Sequence, residues 1–164
     1  KGEDVQEYGQ ECLVDMQIQA HIPDRYIENL TQRLEIYRRI ADIRTRDDAL
    51  DVTDELIDRF GEPPESVNGL IEVALLRNLA SGLGISEVKQ RDDCLLLYKP
   101  GFSLKNSADM AQMAALTSTL KKRVTLNASG KPYISVKIVS PMTPLDVLGE
   151  TLNLMEDARK SVKK

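Results

Sequence analysis

The sequence predicts an α+β protein, in which an N-terminal strand and a three-helix segment precede a strand-strand-helix-strand-strand-helix unit with an antiparallel sheet. Three observations support this class. Polar and apolar residues alternate near the N-terminus, three segments with helical periodicity follow, and two pairs of short apolar segments are each joined by turn residues and followed by a helical pattern. A helix over one face of an antiparallel sheet is the simplest packing for such a unit.

The first predicted element is a strand over residues 13–22, "LVDMQIQAHI". Its apolar side consists of Val14, Met16, Ile18, Ala20 and Ile22. This alternation is typical of a half-buried strand, and Pro23 ends it. The single histidine, His21, falls on the polar side, so we expect a solvated side chain rather than a metal ligand.

Three helices are predicted next, over residues 31–44, 47–60 and from about Pro64 to the "SGLG" stretch at 81–84. Asn29 and Gln32 have the spacing of a capping box before the first helix. Its broad apolar stripe comprises Leu30, Leu34, Tyr37 and Ala41, with Ile36, Ile40 and Ile43 beside it, which predicts that about half of the helix surface is covered.

The second half contains two hairpins. "ISEVKQ" and "CLLLYK" flank the turn "RDD", and "RVTLN" and "YISVKIV" flank "ASGKP". A helix is predicted over 107–120, and a last helix is capped by Thr143, with Pro144 at its first position. We expect a poorly ordered polar linker over residues 1–11 and a single domain over 12–164. Within that domain, 12–85 is the strand-and-helix segment and 86–164 the hairpin–helix repeat.

Composition places the chain among soluble globular proteins, with 41% apolar, 29% charged and 4% aromatic residues. No apolar run approaches the roughly 18 residues of a membrane span, and no signal peptide is recognisable. Cys12 and Cys94 lack metal-ligand spacing. We therefore predict a cytoplasmic protein that binds no membrane and whose isolated chain is a monomer. Because the chain begins with Lys1, we expect it to be a piece of a longer protein.

No catalytic constellation can be built from these residues. The chain has no GxxxxGK[ST] phosphate loop and no nucleophile elbow. Its one histidine lies on a predicted strand, so a nucleophile–His–acid set would require distant residues to meet there. We predict a non-enzymatic domain with no catalytic residues, no cofactor and no metal site. An enzyme with an unrecognised site remains an alternative.

The helix predicted over 47–60 has an acidic face. On a helical wheel, Leu50, Thr53, Leu56, Ile57 and Phe60 cluster together, and Asp51, Asp54, Glu55 and Asp58 cluster nearly opposite. One interpretation is a solvated surface. The other is a binding face, because an arginine-rich partner would relieve the repulsion among the carboxylates. Metal binding is disfavoured because calcium-binding loops are not helical.

A basic C-terminal segment offers an alternative function. Residues 121–164 hold nine Lys or Arg and four Asp or Glu, a balance of +5. Because the net charge of the chain is −4, residues 1–120 carry a charge of −9. Phosphate contacts would come from Lys121, Lys122, Arg123, Arg159, Lys160, Lys163 and Lys164. No aromatic residues interleave with these cations for base stacking, so a solvated surface is the simpler interpretation. A purely structural role is the remaining alternative.

Four motifs in order carry a resemblance to a known family: "IPDRYI", "QRLEIYRRIA", "ELIDRFGEPPE" and "LLRNLASGLGI", within residues 21–85. The chain resembles the C-terminal (TRCF) domain of the bacterial transcription-repair coupling factor. The resemblance at motif level covers about half the chain, and beyond residue 86 only the order of elements fits.

The resemblance implies a non-catalytic regulatory domain of an ATP-dependent DNA translocase. Such a parent contacts DNA and stalled RNA polymerase, and it recruits nucleotide excision repair through the UvrA subunit. The domain is expected to pack on the parent's own N-terminal UvrB-like module, masking UvrA binding and restraining the motor. On this hypothesis Glu55 and Asp58, flanked by Asp51 and Asp54, face arginines of that module. Arg59 is expected to pair locally with Glu55.

Overall fold

A computed structural model describes residues 11–163 and divides them into two compact units. The helical unit comprises Ile18–Asn78, and the sheet unit comprises the described residues up to Gln17 together with those from Leu79 onward. The predicted linker lies outside the described residues apart from Glu11, and Lys164 lies outside them as well.

Three helices are present where the sequence predicts them: α1 Leu30–Ala41, α2 Arg46–Phe60 and α3 Glu65–Gly82. The Asn29 side chain accepts a hydrogen bond from the N–H of Gln32 at 2.9 Å, so the Asn29 half of the predicted capping box is confirmed. Thr45 and Asp48 form a reciprocal capping box that starts α2. Gly61, with φ +87°, ends this helix, because few residues other than glycine adopt that conformation readily.

The core of the helical unit is formed by apolar residues from all three helices and from the segment that precedes them. Its buried members are Ile22, Ile27, Ile36, Ile40, Ile43, Ala49, Val52, Leu56, Val67, Ile71, Ala74 and Leu75. Tyr26, Tyr37, Phe60 and Leu70 pack against them and are partly buried. Phe60, a member of the apolar cluster on the helical wheel, thus packs against the core.

Two predicted helix faces are wrong in part. On α1 only the half with Ile36 and Ile40 is buried, whereas Leu30 is 59% and Leu34 is 52% exposed. On α2 the core side is formed by Ala49, Val52 and Leu56, and Leu50 and Ile57 from the apolar cluster of the helical wheel are 53% and 41% exposed. The large apolar residues predicted one buried face on each helix, but packing within the unit buries a neighbouring or smaller part of the surface.

The sheet unit contains the predicted hairpin–helix repeat. Its elements are β2 Glu87–Arg91, β3 Cys94–Tyr98, α4 Ser107–Leu120, a 3₁₀ turn Lys121–Arg123, β4 Val124–Asn127, β5 Tyr133–Lys137 and α5 Pro144–Lys163. Both hairpins are antiparallel, and β3 pairs with β5. With β1 Leu13–Asp15 at one edge, the strand order is β1-β2-β3-β5-β4.

The predicted first strand is shorter than its sequence pattern. Pairing extends only over Leu13–Asp15, which lies parallel to β2, although burial alternates as predicted along residues 13–22. Beyond Asp15 the backbone N–H groups find other acceptors. Gln17 donates to the Gln90 side chain at 2.8 Å and Ile22 donates to the Tyr37 hydroxyl at 2.8 Å. His21 is exposed, as expected.

Most buried side chains of the sheet unit come from one sheet face and from α4 and α5, which pack against each other. The buried strand residues on that face are Val88, Leu95, Leu97, Val124, Ile134 and Val136. The buried helix residues include Leu116, Leu120, Val147, Leu148, Leu152 and Met155. Thr143 and Asp146 exchange hydrogen bonds of 3.0 and 3.1 Å, so the predicted cap of α5 is confirmed.

Gly69 in the middle of α3 is required by a close backbone approach. A Cβ atom at this position would lie 2.8 Å from the carbonyl oxygen of Gln19. Helix propensity alone would favour alanine by about 1 kcal/mol, but we expect Gly69→Ala to lower the free energy of unfolding by about 1–3 kcal/mol because the backbone must shift. Gly82→Ala is the matched control, since nothing lies within 4 Å of its Cβ position. Urea unfolding of the wild type and of both variants measures the change in the free energy of unfolding. Equal stability of the two variants would contradict the steric explanation.

The capping box predicts a pH dependence. Backbone N–H donation from Arg44, and then from Thr45, holds the pKa of Asp48 below its ordinary value of 3.8. A lowered folded-state pKa contributes stability that is present above about pH 5 and is lost as the pH falls through the folded value. We therefore expect the stability difference between wild type and Asp48→Asn to shrink between about pH 6 and pH 3. Urea unfolding at both pH values tests this, and a constant difference would contradict it.

Candidate interaction surface on helix α2

Packing of the helical unit fixes which side of α2 faces solvent. Because Ala49, Val52 and Leu56 are buried, the opposite surface is exposed. Asp51, Asp54 and Asp58 are all exposed on it. Together with Glu55 they form what we call the acidic face. The C-terminal end of α2 is held in place by the Tyr26 hydroxyl, which donates a 2.7 Å hydrogen bond to the carbonyl of Gly61. Burial, and then the nearby Glu62 carboxylate, raises the pKa of this tyrosine.

Glu55 differs from the three aspartates because arginines of the same unit already hold it. One carboxylate oxygen pairs with Arg39 of α1, and the other lies 2.8 Å from Nη1 of Arg59, four residues later in α2. The predicted local pair of Arg59 and Glu55 is thus confirmed. Arg59 also lies 3.9 Å from Glu35 and has its guanidinium 4.9 Å from the centre of the Phe60 ring. Glu55 therefore links α1 to α2.

Asp51, Asp54 and Asp58 have no such compensation: within residues 11–163, no cation lies within ion-pair distance of any of them. Their spacings of three and four residues place them side by side, where like charges repel. Asp58 also lies in the last turn of α2, where the helix dipole disfavours negative charge. This part of the surface consequently carries an electrostatic cost that a cationic partner would remove.

Sequence reasoning missed the two apolar residues beside these acids. Leu50 and Ile57 lie on the same flank of α2 as Asp54, four and three residues from it, and both are about half exposed. The available signal was the alternative stripe of Ala49, Val52 and Leu56, of which the apolar cluster on the wheel included only Leu56.

The basic C-terminal residues are less available than the sequence suggested. Arg123 lies 3.6 Å from Glu150 and donates to the carbonyl of Lys137, and Arg159 lies 2.7 Å from Glu156. Lys121 and Lys122 are exposed in the 3₁₀ turn, and Lys160 lies 3.9 Å from the same Glu156. The Lys163 side chain and Lys164 lie outside the described residues.

Within residues 11–163, no group of three or more His, Cys, Asp or Glu is arranged so that it could hold a metal ion. None of the described helices combines the length and the apolar character needed to cross a bilayer.

The fold is that of a transcription-repair coupling factor C-terminal domain. A crystal structure of that domain is similar with a TM-score of 0.80 at 23% identity, over 92% of this chain and 95% of the other. The TRCF domain family matches residues 16–113. The chain belongs to this TRCF domain family, which confirms the resemblance drawn from the four motifs.

Two relatives extend the comparison. The transcription-repair-coupling factor of Bacillus subtilis (strain 168) is 28% identical over 156 residues, which are 94% of this chain and 13% of that protein. The Staphylococcus aureus (strain USA300) protein of the same name is 35% identical over 81 residues, 49% of this chain and 7% of the relative. The chain thus spans a small part of the length of its relatives.

The two kinds of acid on α2 should respond oppositely to neutralisation. Glu55→Gln removes two ion pairs, and we expect it to lower the free energy of unfolding by on the order of 1 kcal/mol. Asp58→Asn removes only repulsion and an unfavourable dipole interaction, so we expect it to be neutral or stabilising by a few tenths of a kcal/mol. Urea unfolding at low salt measures both. Equal losses in the two variants would show that Asp58 has a stabilising partner.

Proposed function

We propose that this chain is the non-catalytic regulatory domain of an ATP-dependent DNA translocase that couples transcription to nucleotide excision repair. In this role it packs on the parent's own N-terminal UvrB-like module, masks the surface that binds UvrA and restrains the motor. The parent would contact RNA polymerase, DNA and UvrA, whereas this domain would act only through the intramolecular contact.

The observation that carries this proposal is the uncompensated negative charge of the acidic face. Asp51, Asp54 and Asp58 are exposed on a capped helix that the core holds in place, and no described cation pairs with them. Carboxylates on a rigid helix are well placed to accept bidentate hydrogen bonds from arginines. A basic surface on the N-terminal module would therefore be complementary to this face.

The strength of such a contact suits a clamp that must open. Exposed ion pairs contribute about 0–1 kcal/mol each, so several must act together, and salt weakens them. Because both surfaces would belong to one protein, a weak contact is enough to keep the clamp closed at the effective concentrations that linkage gives. Engagement of polymerase would then need to offset only a small free energy.

Glu55 contributes to this contact in a different way from the aspartates. Its carboxylate must exchange Arg39 or Arg59 for an arginine of the partner, so its net gain on docking is small. Its larger effect is to hold α2 against α1 and thereby orient the other three acids.

Charge reversal tests the proposal directly. We expect the 164-residue chain to bind the parent's separately expressed N-terminal module in calorimetry, with an affinity that falls as salt is raised. Asp54→Lys with Asp58→Lys should abolish this binding at low salt. Glu28→Lys with Asp42→Lys is the matched control, because it changes the net charge equally at exposed acids of the same unit that are not part of α2.

Three results would count against the proposal. Absence of binding by the wild-type chain would favour a purely structural role. Binding that is unaffected by the charge reversal on α2 would show that the contact lies on another surface. Salt-sensitive binding of a short DNA duplex by the wild-type chain, lost on replacing Lys121 and Lys122, would favour a nucleic-acid contact instead.

A further inference from the structure

Two pairs of large apolar side chains are exposed on the helical unit. Leu30 and Leu34 lie on α1, and Leu50 and Ile57 lie on α2. Single exposed apolar residues are common and need no explanation. The α2 pair is different because its members lie two helical turns apart on one flank, with Asp54 between them and Asp58 beside them.

The surroundings of the two pairs differ in their acids. Leu34 has Arg38 one turn later on α1, and Leu50 has Arg46 one turn earlier on α2. Only the α2 pair also lies beside carboxylates that no described cation compensates, those of Asp54 and Asp58. Apolar groups that are buried in an interface contribute most of its free energy when polar groups surround them and exclude water. An apolar pair with acids along one side is complementary to a shallow apolar pocket with Arg or Lys along the facing side.

We infer that Leu50 and Ile57 are the apolar anchors of the contact with the N-terminal module, and that this module offers an apolar pocket between its basic residues. This inference rests on the proposed function and adds a second component to it. The acids supply an attraction that salt screens, and the two apolar side chains supply one that salt does not weaken. The contact therefore keeps part of its affinity at high salt.

The test separates the two components with three double variants of the 164-residue chain, each titrated with the N-terminal module at low and high salt. Leu50→Gln with Ile57→Gln should weaken binding about tenfold at both salt concentrations. Asp54→Asn with Asp58→Asn should weaken it several-fold at low salt and little at high salt. Leu30→Gln with Leu34→Gln, at residues of matched exposure, should leave binding unchanged.

Folding of each variant is checked by its urea midpoint. Should the glutamine pair on α2 lower the midpoint, Leu50→Ala with Ile57→Ala replaces it, because alanine favours the helix and still removes the anchors. Unchanged affinity in the α2 apolar variants, with wild-type binding intact, overturns the anchors and leaves the proposed function standing. An equal loss in the α1 variant also overturns them. If the wild-type chain does not bind, the proposed function fails, and the anchors with it.

Discussion

The rotation of α2 about its own axis determines which of its side chains are buried and which are available to a partner. Burial of Ala49, Val52 and Leu56 sets that rotation, and the Glu55 carboxylate, shared between Arg39 and Arg59, reinforces it from the solvent side. A helix turned by one residue would bury part of the aspartate row and expose the core stripe. The candidate surface is therefore a consequence of how the helical unit packs. The residues that stabilise the unit and those proposed for recognition lie on opposite sides of one helix.

The fold could be predicted from the sequence to the extent that local signals specify it. Caps at Asn29 and Thr143, the glycine after Phe60 and the hairpin turns all act through neighbouring residues, so helices and hairpins lie where the pattern places them. The parallel pairing of β1 with β2 and its end at Asp15 depend on contacts more than seventy residues apart, which periodicity does not contain.

The acidic residues of the candidate surface could be predicted from the sequence, but its exposed apolar residues could not. The apolar cluster on the helical wheel is centred about 60° away from the side of α2 that is actually buried. The difference left the aspartates exposed under either rotation, but it moved Leu50 and Ile57 from core to surface. Local spacing did predict the bond between Arg59 and Glu55, whereas the second arginine, from α1, could be found only from the packing of two helices.

The exposed apolar pair beside unpaired acids has a kinetic consequence. Charges at the edge of an interface mainly set how fast two surfaces meet, whereas buried anchors mainly set how long they stay together. A clamp built this way would close at a rate that depends on the ionic conditions around it. Its dwell time would depend on two side chains that those conditions barely affect. The lifetime of the closed state could then change by substitution at Leu50 or Ile57 without any change in how quickly the clamp re-forms.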